Sequence, residues 1–242
     1  MKIIFNHVEK TGGSTLDFLF RKIIKENIYM LNIHDFILEF NNTLNIISIR
    51  NPFNVYKSLY LYGCEKKGGL YNFIKKNKKE KISFYDCSQE EYVNFLKFTY
   101  EEYGIEKKLN SVCGLVTQRF LRSSLLKIDF QQLILINEYK GLKNFFLNKK
   151  KIDFVIKTET LTSDVEKLIF YFEKKPELAC LLEKNYKKKF YKNINKKKNS
   201  TKEENKIKID NKLLPEEIRN LIFEKEKLIF ELFYPESLKN NL

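Results

Sequence analysis

The 242-residue chain has no tryptophan, two methionines, two histidines, four prolines and only eight glycines. That scarcity excludes collagen-like and glycine- or proline-rich disordered classes. The four cysteines, Cys64, Cys87, Cys113 and Cys180, are widely separated, with no paired interval and no histidine close to them in sequence. Neither a zinc site nor a disulfide framework is expected, and a reducing compartment suits the chain. No uninterrupted apolar run approaches the roughly 20 residues that span a bilayer. Residue 3 already begins a strand pattern, which leaves no room for a signal peptide. The expectation is a cytoplasmic protein with no membrane span.

What is present is a globular composition, 43% hydrophobic, 14% aromatic and 31% charged, enough for one sizeable core, and a single domain over 1–242 is expected. The net charge of +14 makes polyanions plausible partners. It is uneven, because 187–212 holds eleven lysines against Glu203, Glu204 and Asp210, a net +8. With little apolar periodicity, that segment reads as a long, basic, mobile loop. Pro215-Glu216-Glu217 then opens a C-terminal helix over about 215–233, its acidic residues at the positive end of the helix dipole. The tyrosine and phenylalanine excess is read as core, with Tyr60, Tyr62 and Tyr71 as candidates to line a sugar-binding cleft.

The first fifteen residues organise the chain. Residues 3–8 read as a short strand, and Glu9-Lys10-Thr11-Gly12-Gly13-Ser14-Thr15 as a small-residue loop. Leu16, Leu19, Phe20, Ile23 and Ile24 fall on one helix face. A strand, a glycine loop and a helix N-terminus form an anion trap, because loop amides and free helix N–H groups converge where the helix dipole is positive. Lys10 adds a full charge, so the stretch is read as the site of a phosphorylated ligand.

Further strands are predicted at 28–33, 45–50 and 152–156. Asn51-Pro52 stops the third of the four and starts a helix carrying Val55, Tyr56, Leu59 and Tyr60 inward. Residues 64–87 look irregular, and 110–126 and 131–148 look helical. Capping boxes at Ser88/Glu91 and Ser163/Glu166 open two more helices. Strand–helix alternation over the first sixty residues argues for an α/β fold with a parallel sheet covered by helices.

The loop is not a Walker A motif, since Lys10 precedes both glycines and no G-K-[ST] lies near it. Residues 7–15, His-Val-Glu-Lys-Thr-Gly-Gly-Ser-Thr, instead resemble the 5′-phosphosulfate loop of the PAPS-dependent sulfotransferases, H-x-x-K-T-G-G-[ST]-[ST]. Residues 50–58, Arg-Asn-Pro-Phe-Asn-Val-Tyr-Lys-Ser, resemble that family's 3′-phosphate motif, R-[DN]-P-x-x-R-x-x-S. Arg50 and Ser58 are in register there, whereas Val55 stands in place of the second arginine and Lys57 is the nearest candidate to compensate. Weaker similarity, closest to carbohydrate-type and bacterial members, covers Ser88–Phe95, the T-x-R segment around Thr117 and Arg119, the late strand Asp153–Leu161, and Phe230–Tyr234.

The resemblance implies a three-layer α/β/α, P-loop-like fold around a mostly parallel sheet. It also implies a sulfotransferase that moves a sulfonate from PAPS to a hydroxyl acceptor, a saccharide or glycoconjugate, releasing PAP and using no metal. The nucleotide would be held by Lys10, Thr11, Gly12, Gly13, Ser14 and Thr15 at the 5′ side and by Arg50 and Ser58 at the 3′ side. Ser200 or Lys202, in the region of the family's late closing loop, would join the 3′ side. Lys10 would stabilise the leaving oxygen. His34, after the second strand, is the candidate base, with Glu159 behind the late strand as runner-up. A non-catalytic nucleotide binder, or a basic nucleic-acid binder using 187–212, is the alternative.

Overall fold

The computed structural model describes residues 1–38, 42–194 and 209–239. Ser200 and Lys202 lie outside them. The fold is mixed α/β, a central four-stranded, all-parallel sheet flanked by helices in the manner of a three-layer α/β/α fold. The strands are β1 (Lys2–His7), β2 (Tyr29–Ile33), β3 (Thr43–Ile49) and β4 (Phe154–Lys157), in the order β2-β1-β3-β4. The helices are α1 (Gly13–Ile23), α2 (Pro52–Cys64), α3 (Gly69–Asn77), α4 (Gln89–Glu101), α5 (Leu115–Arg122), α6 (Lys127–Leu133) and α7 (Tyr139–Lys149). They continue as α8 (Leu161–Glu173), α9 (Pro176–Ala179), α10 (Tyr186–Asn193), α11 (Glu216–Lys225), α12 (Lys227–Phe233) and α13 (Pro235–Lys239).

The chain divides into two compact units. The first comprises Met1–Arg50, Arg119–Leu133 and Phe145–Ser200, and the second Asn51–Gln118, Ile134–Asn144 and Thr201–Leu242. The first holds the sheet. Ile3 and Phe5 of β1 and Leu44 and Ile46 of β3 pack with Leu16, Leu19, Phe20 and Ile23 of α1, Val165, Leu168 and Phe172 of α8, and Phe190 of α10. Each such side chain contributes about 1.5–3 kcal/mol on burial, and period-2 strand residues facing a period-3.6 helix stripe explain why these elements meet. The alternate residues of the strands carry a buried polar ladder. Asn32 Nδ2 donates to Asn6 Oδ1 at 2.9 Å, and Asn6 Nδ2 to Asn45 Oδ1 at 3.3 Å. A one-residue slip would break both bonds, so the amides help to fix the register Asn6↔Asn32 and Ile4↔Asn45.

The second unit is aromatic inside. Tyr60 lies 5.1 Å from Tyr92 and 5.4 Å from Phe95, and Phe53 lies 5.1 Å from Phe223. Two of the tyrosines assigned to a sugar cleft belong to this core. Tyr60 is fully buried with its hydroxyl donating to Ser88 O at 3.0 Å, and Tyr71 is buried edge-on to Tyr85. Their apolar bodies are worth more inside, and Tyr60 finds a partner for its polar tip there.

Several elements differ from the sequence reading. Residues 69–77 form a helix within the stretch read as irregular, and 186–193 form α10, whose Phe190 reaches the core of the first unit. The predicted helices over 110–126 and 131–148 are α5, α6 and α7 with breaks between them. The C-terminal helix is interrupted at Glu226, between α11 and α12. Ser88 caps α4 as expected, its Oγ accepting from Glu91 N at 3.1 Å. Ser163 does not cap α8, which starts at Leu161. Asp164 Oδ2 instead takes the hydrogen bonds of Lys157 N and Thr160 Oγ1, tying the helix start back to β4.

Candidate active site

The strand order reverses at β1. The chain leaves β1 through α1 to β2 on one side, and then comes back to β3 on the other. In open α/β sheets ligands bind outside the carboxyl ends of the strands at such a switch point. The loop after β1, residues 8–12, and Arg50, the residue after β3, both lie at that edge, and Arg50 Nη1 donates to Lys10 O at 3.4 Å.

The loop backbone is left-handed at two positions, Lys10 and Gly12. Gly12, the N-cap of α1, is left-handed with φ 75° and its carbonyl accepts from Thr15 N at 3.0 Å and Leu16 N at 3.1 Å, so the amides of Gly13 and Ser14 at the start of this 11-residue helix are left to a ligand or to solvent. Lys10 is also left-handed, with φ 64°. A residue with a Cβ is strained there by about 1 kcal/mol relative to glycine, and strain of this kind gathers at functional sites. The side chain of Thr11 turns inward, within 2.7 Å of Val8 O and 2.6 Å of Ser48 Oγ, so only its backbone can serve a ligand. Ser14 and Thr15 lie in the first turn of α1 and are half-buried.

One brace was missed by the sequence reading. Thr158 Oγ1 lies 2.8 Å from Thr11 O and 3.0 Å from Ile49 O, within hydrogen-bond reach of both. It ties the loop to the end of β3. The late-strand similarity pointed to this spot but drew attention to Glu159, its exposed neighbour.

Gly13 and His7 form a second local constraint. A Cβ on Gly13 would sit 1.8 Å from His7 Cδ2, so the imidazole occupies the space that a side chain would take. Gly13→Ala must push the ring aside, and a stability loss of about 1–3 kcal/mol is expected, as for other overpacked sites. Thermal melting of the variant checks it. A melting curve unchanged from wild type would show that the ring moves freely.

The two histidines meet at this edge. His34, also left-handed with φ 54°, donates its backbone N–H to His7 O, and the ring centroids are 5.0 Å apart. Burial lowers the His7 pKa to about 4, assisted by His34. His34 is solvent-accessible, yet partial desolvation together with Arg119, Lys10 and Arg122 holds it below the ordinary value, against the opposing pull of Glu9. Both rings are therefore neutral near pH 7. Between about pH 6.5 and 4 the unfolded chain binds a proton that His7 refuses when folded, so stability falls as pH drops through that window, by up to about 3 kcal/mol. Urea midpoints from pH 7 to pH 4 should show this fall, and His7→Phe should flatten it.

No family profile, no curated protein and no solved structure matches the chain. Lys10, Gly12, Gly13, Arg50 and His34 come together at one edge of the first unit. Ser58 belongs to the second unit, where it is half-buried on α2. Val55 is buried in that unit, and the Lys57 amine donates to Ile209 O, so Lys57 is occupied within its own unit.

The T-x-R segment supplies a residue to which the sequence reading gave no role. Arg119 Nη2 pairs with Glu9 Oε2 at 2.9 Å, directly beside Lys10 in the chain. Arg122, three residues on, pairs with Asp35 at 3.3 Å and lies over the Phe36 ring. Glu9 follows β1 by two residues and Asp35 follows β2 by two, so each arginine braces the end of one strand. Among the described residues no three His, Cys, Asp or Glu side chains gather as metal ligands, and no helix is long and apolar enough to cross a membrane.

Proposed function

We propose that this chain is a PAPS-dependent sulfotransferase that transfers a sulfonate to a hydroxyl, with a saccharide or glycoconjugate as the acceptor class. The observation that carries the reading is the meeting of the Lys10–Gly13 loop with Arg50 at the switch point of the sheet. A substrate with a 5′-phosphosulfate and a separate 3′-phosphate requires two anion sites at neighbouring strand ends. The uncapped α1 N-terminus with Lys10 suits the first, and the guanidinium of Arg50 suits the second. Gly12 and Gly13 leave room for the bulky anion, and Thr158 holds the loop in place.

Sulfonate transfer by in-line displacement is chiefly positioning and charge stabilisation. Lys10 meets the negative charge that grows on the phosphate oxygen as its bond to sulfur breaks. His34, neutral near pH 7, takes the proton of the attacking hydroxyl. Its left-handed backbone and its hydrogen bond to His7 O fix where its ring begins. Glu159 is exposed beyond β4 and has the weaker claim to that role.

Transfer from sulfur-labelled PAPS to a panel of neutral and acidic oligosaccharides tests the reading. At least one labelled glycan is expected with wild type and none with Lys10→Met. PAP binding without labelled product on any acceptor, under conditions where a known sulfotransferase works, would favour a nucleotide binder without turnover.

A further inference from the structure

Arg119 is more than a brace. Its side chain is only 11% exposed, and one of its terminal nitrogens is committed to Glu9. The other, Nη1, is buried and has no acceptor among the described residues. A buried charged donor without a partner is a standing penalty, larger than that of a neutral group. Structural braces normally satisfy all their donors, so a guanidinium held by one nitrogen and lacking an acceptor at the other has the form of a binding group. Arg122 repeats the pattern three residues away, with Nη2 on Asp35 and a buried Nε lacking an acceptor.

Placement narrows the ligand. Glu9 is the residue before Lys10, so the fixed nitrogen of Arg119 holds its guanidinium beside the loop that takes the phosphosulfate. The charge of Arg119 reaches His34, the candidate proton acceptor. Arg50 follows β3, on one side of β1, while Glu9–Arg119 and Asp35–Arg122 tie the ends of β1 and β2. The nucleotide's 3′-phosphate belongs to the Arg50 side. The other side is where the sulfur, its oxygens and the incoming hydroxyl must be.

We infer that Arg119 is a catalytic residue whose Nη1 donates to a sulfonyl oxygen of the bound phosphosulfate, while Glu9 holds the guanidinium in position. This rests on the sulfotransferase reading above. The sulfonyl oxygens carry negative charge before and during transfer, and a fixed, desolvated guanidinium stabilises that charge with no reorganisation at the moment of reaction. Glu9 is then a positioning residue.

The test compares two probes that differ in the sulfonate, PAP and PAPS, by calorimetry on the full chain. Arg119→Gln is expected to weaken PAPS by about tenfold or more while PAP stays within about twofold of wild type. Arg119→Lys, which keeps the charge but loses the fork, should fall between. Glu9→Gln should keep most of the PAPS preference, because the amide oxygen still accepts from Nη2 and holds the guanidinium while only the charge of the tether is lost. Three outcomes overturn the inference. They are equal weakening of PAP and PAPS in Arg119→Gln, no change in either, and a Glu9→Gln variant that reproduces Arg119→Gln with both probes. A folded wild type that binds neither probe would instead bring down the sulfotransferase reading itself.

Discussion

Lys10→Met should lower the rate of sulfonate transfer by about 10²–10³, the range lost when one preorganised donor is removed from a developing oxyanion. Methionine keeps the length of the stem and occupies the same left-handed position, so the fold is not expected to change. Lys10→Gly separates function from stability more sharply. Glycine adopts φ 64° without strain, and the variant should gain about 1 kcal/mol of stability while being equally inactive. Melting curves and labelled-PAPS turnover on the same preparations give both readings. A Lys10→Gly protein that retains turnover would remove the lysine from the chemistry.

The second large effect lies in the other unit, at the break in the C-terminal helix. Glu226 is fully buried, and its carboxylate accepts from Thr117 N at 2.7 Å, Val116 N at 3.2 Å and the hydroxyl of Tyr56. It acts as a cap for α5, supplied from far along the chain. Gly114 makes room for it, since a Cβ there would sit 2.2 Å from Glu226 Oε1. Glu226→Ala strands three buried donors at once, and a loss of about 3–5 kcal/mol is expected, read as a fall in the urea midpoint. A loss below about 1 kcal/mol would mean that water replaces the carboxylate without difficulty.

Glu226 also has a signature in pH. Burial pushes its carboxyl up to about 7 despite the three donors. Between about pH 4.5 and 7 the folded state then holds a proton that the unfolded chain releases. Its contribution therefore declines as pH rises through that window, by up to about 3 kcal/mol. The sign is opposite to that of His7, so the difference between wild type and Glu226→Gln across the window is the quantity to measure.

These two carboxylate and histidine sites show where sequence reasoning reached and where it stopped. The elements set by local pattern were legible. Short isoleucine-rich runs marked β1 and β3, the i, i+3, i+4 stripe marked α1, and Ser88 three residues before Glu91 marked the start of α4. The strand–loop–helix start at residues 2–23 was legible because its glycines, its lysine and its helix stripe are contiguous. What depends on contacts across the chain was not. Nothing near Thr158 says that its hydroxyl reaches Thr11 O and Ile49 O, and nothing near Glu226 says that it caps a helix more than a hundred residues earlier. The break at Glu226 was hidden for the same reason. The apolar stripe runs on through α11 and α12, while the interruption serves a buried carboxylate whose partners lie elsewhere. Arg119 stood in a segment that the sequence had marked, but its open nitrogen is visible only once Glu9 is seen to hold the other.

The most direct test of the account is PAP binding to the full wild-type chain, measured by calorimetry beside Arg50→Ala. Wild type should bind saturably and the variant with an affinity about 10- to 100-fold weaker, the value of a charge-assisted hydrogen-bond pair to phosphate. A well-folded wild type that takes up no PAP, or an Arg50→Ala variant that binds it as tightly, would contradict the account.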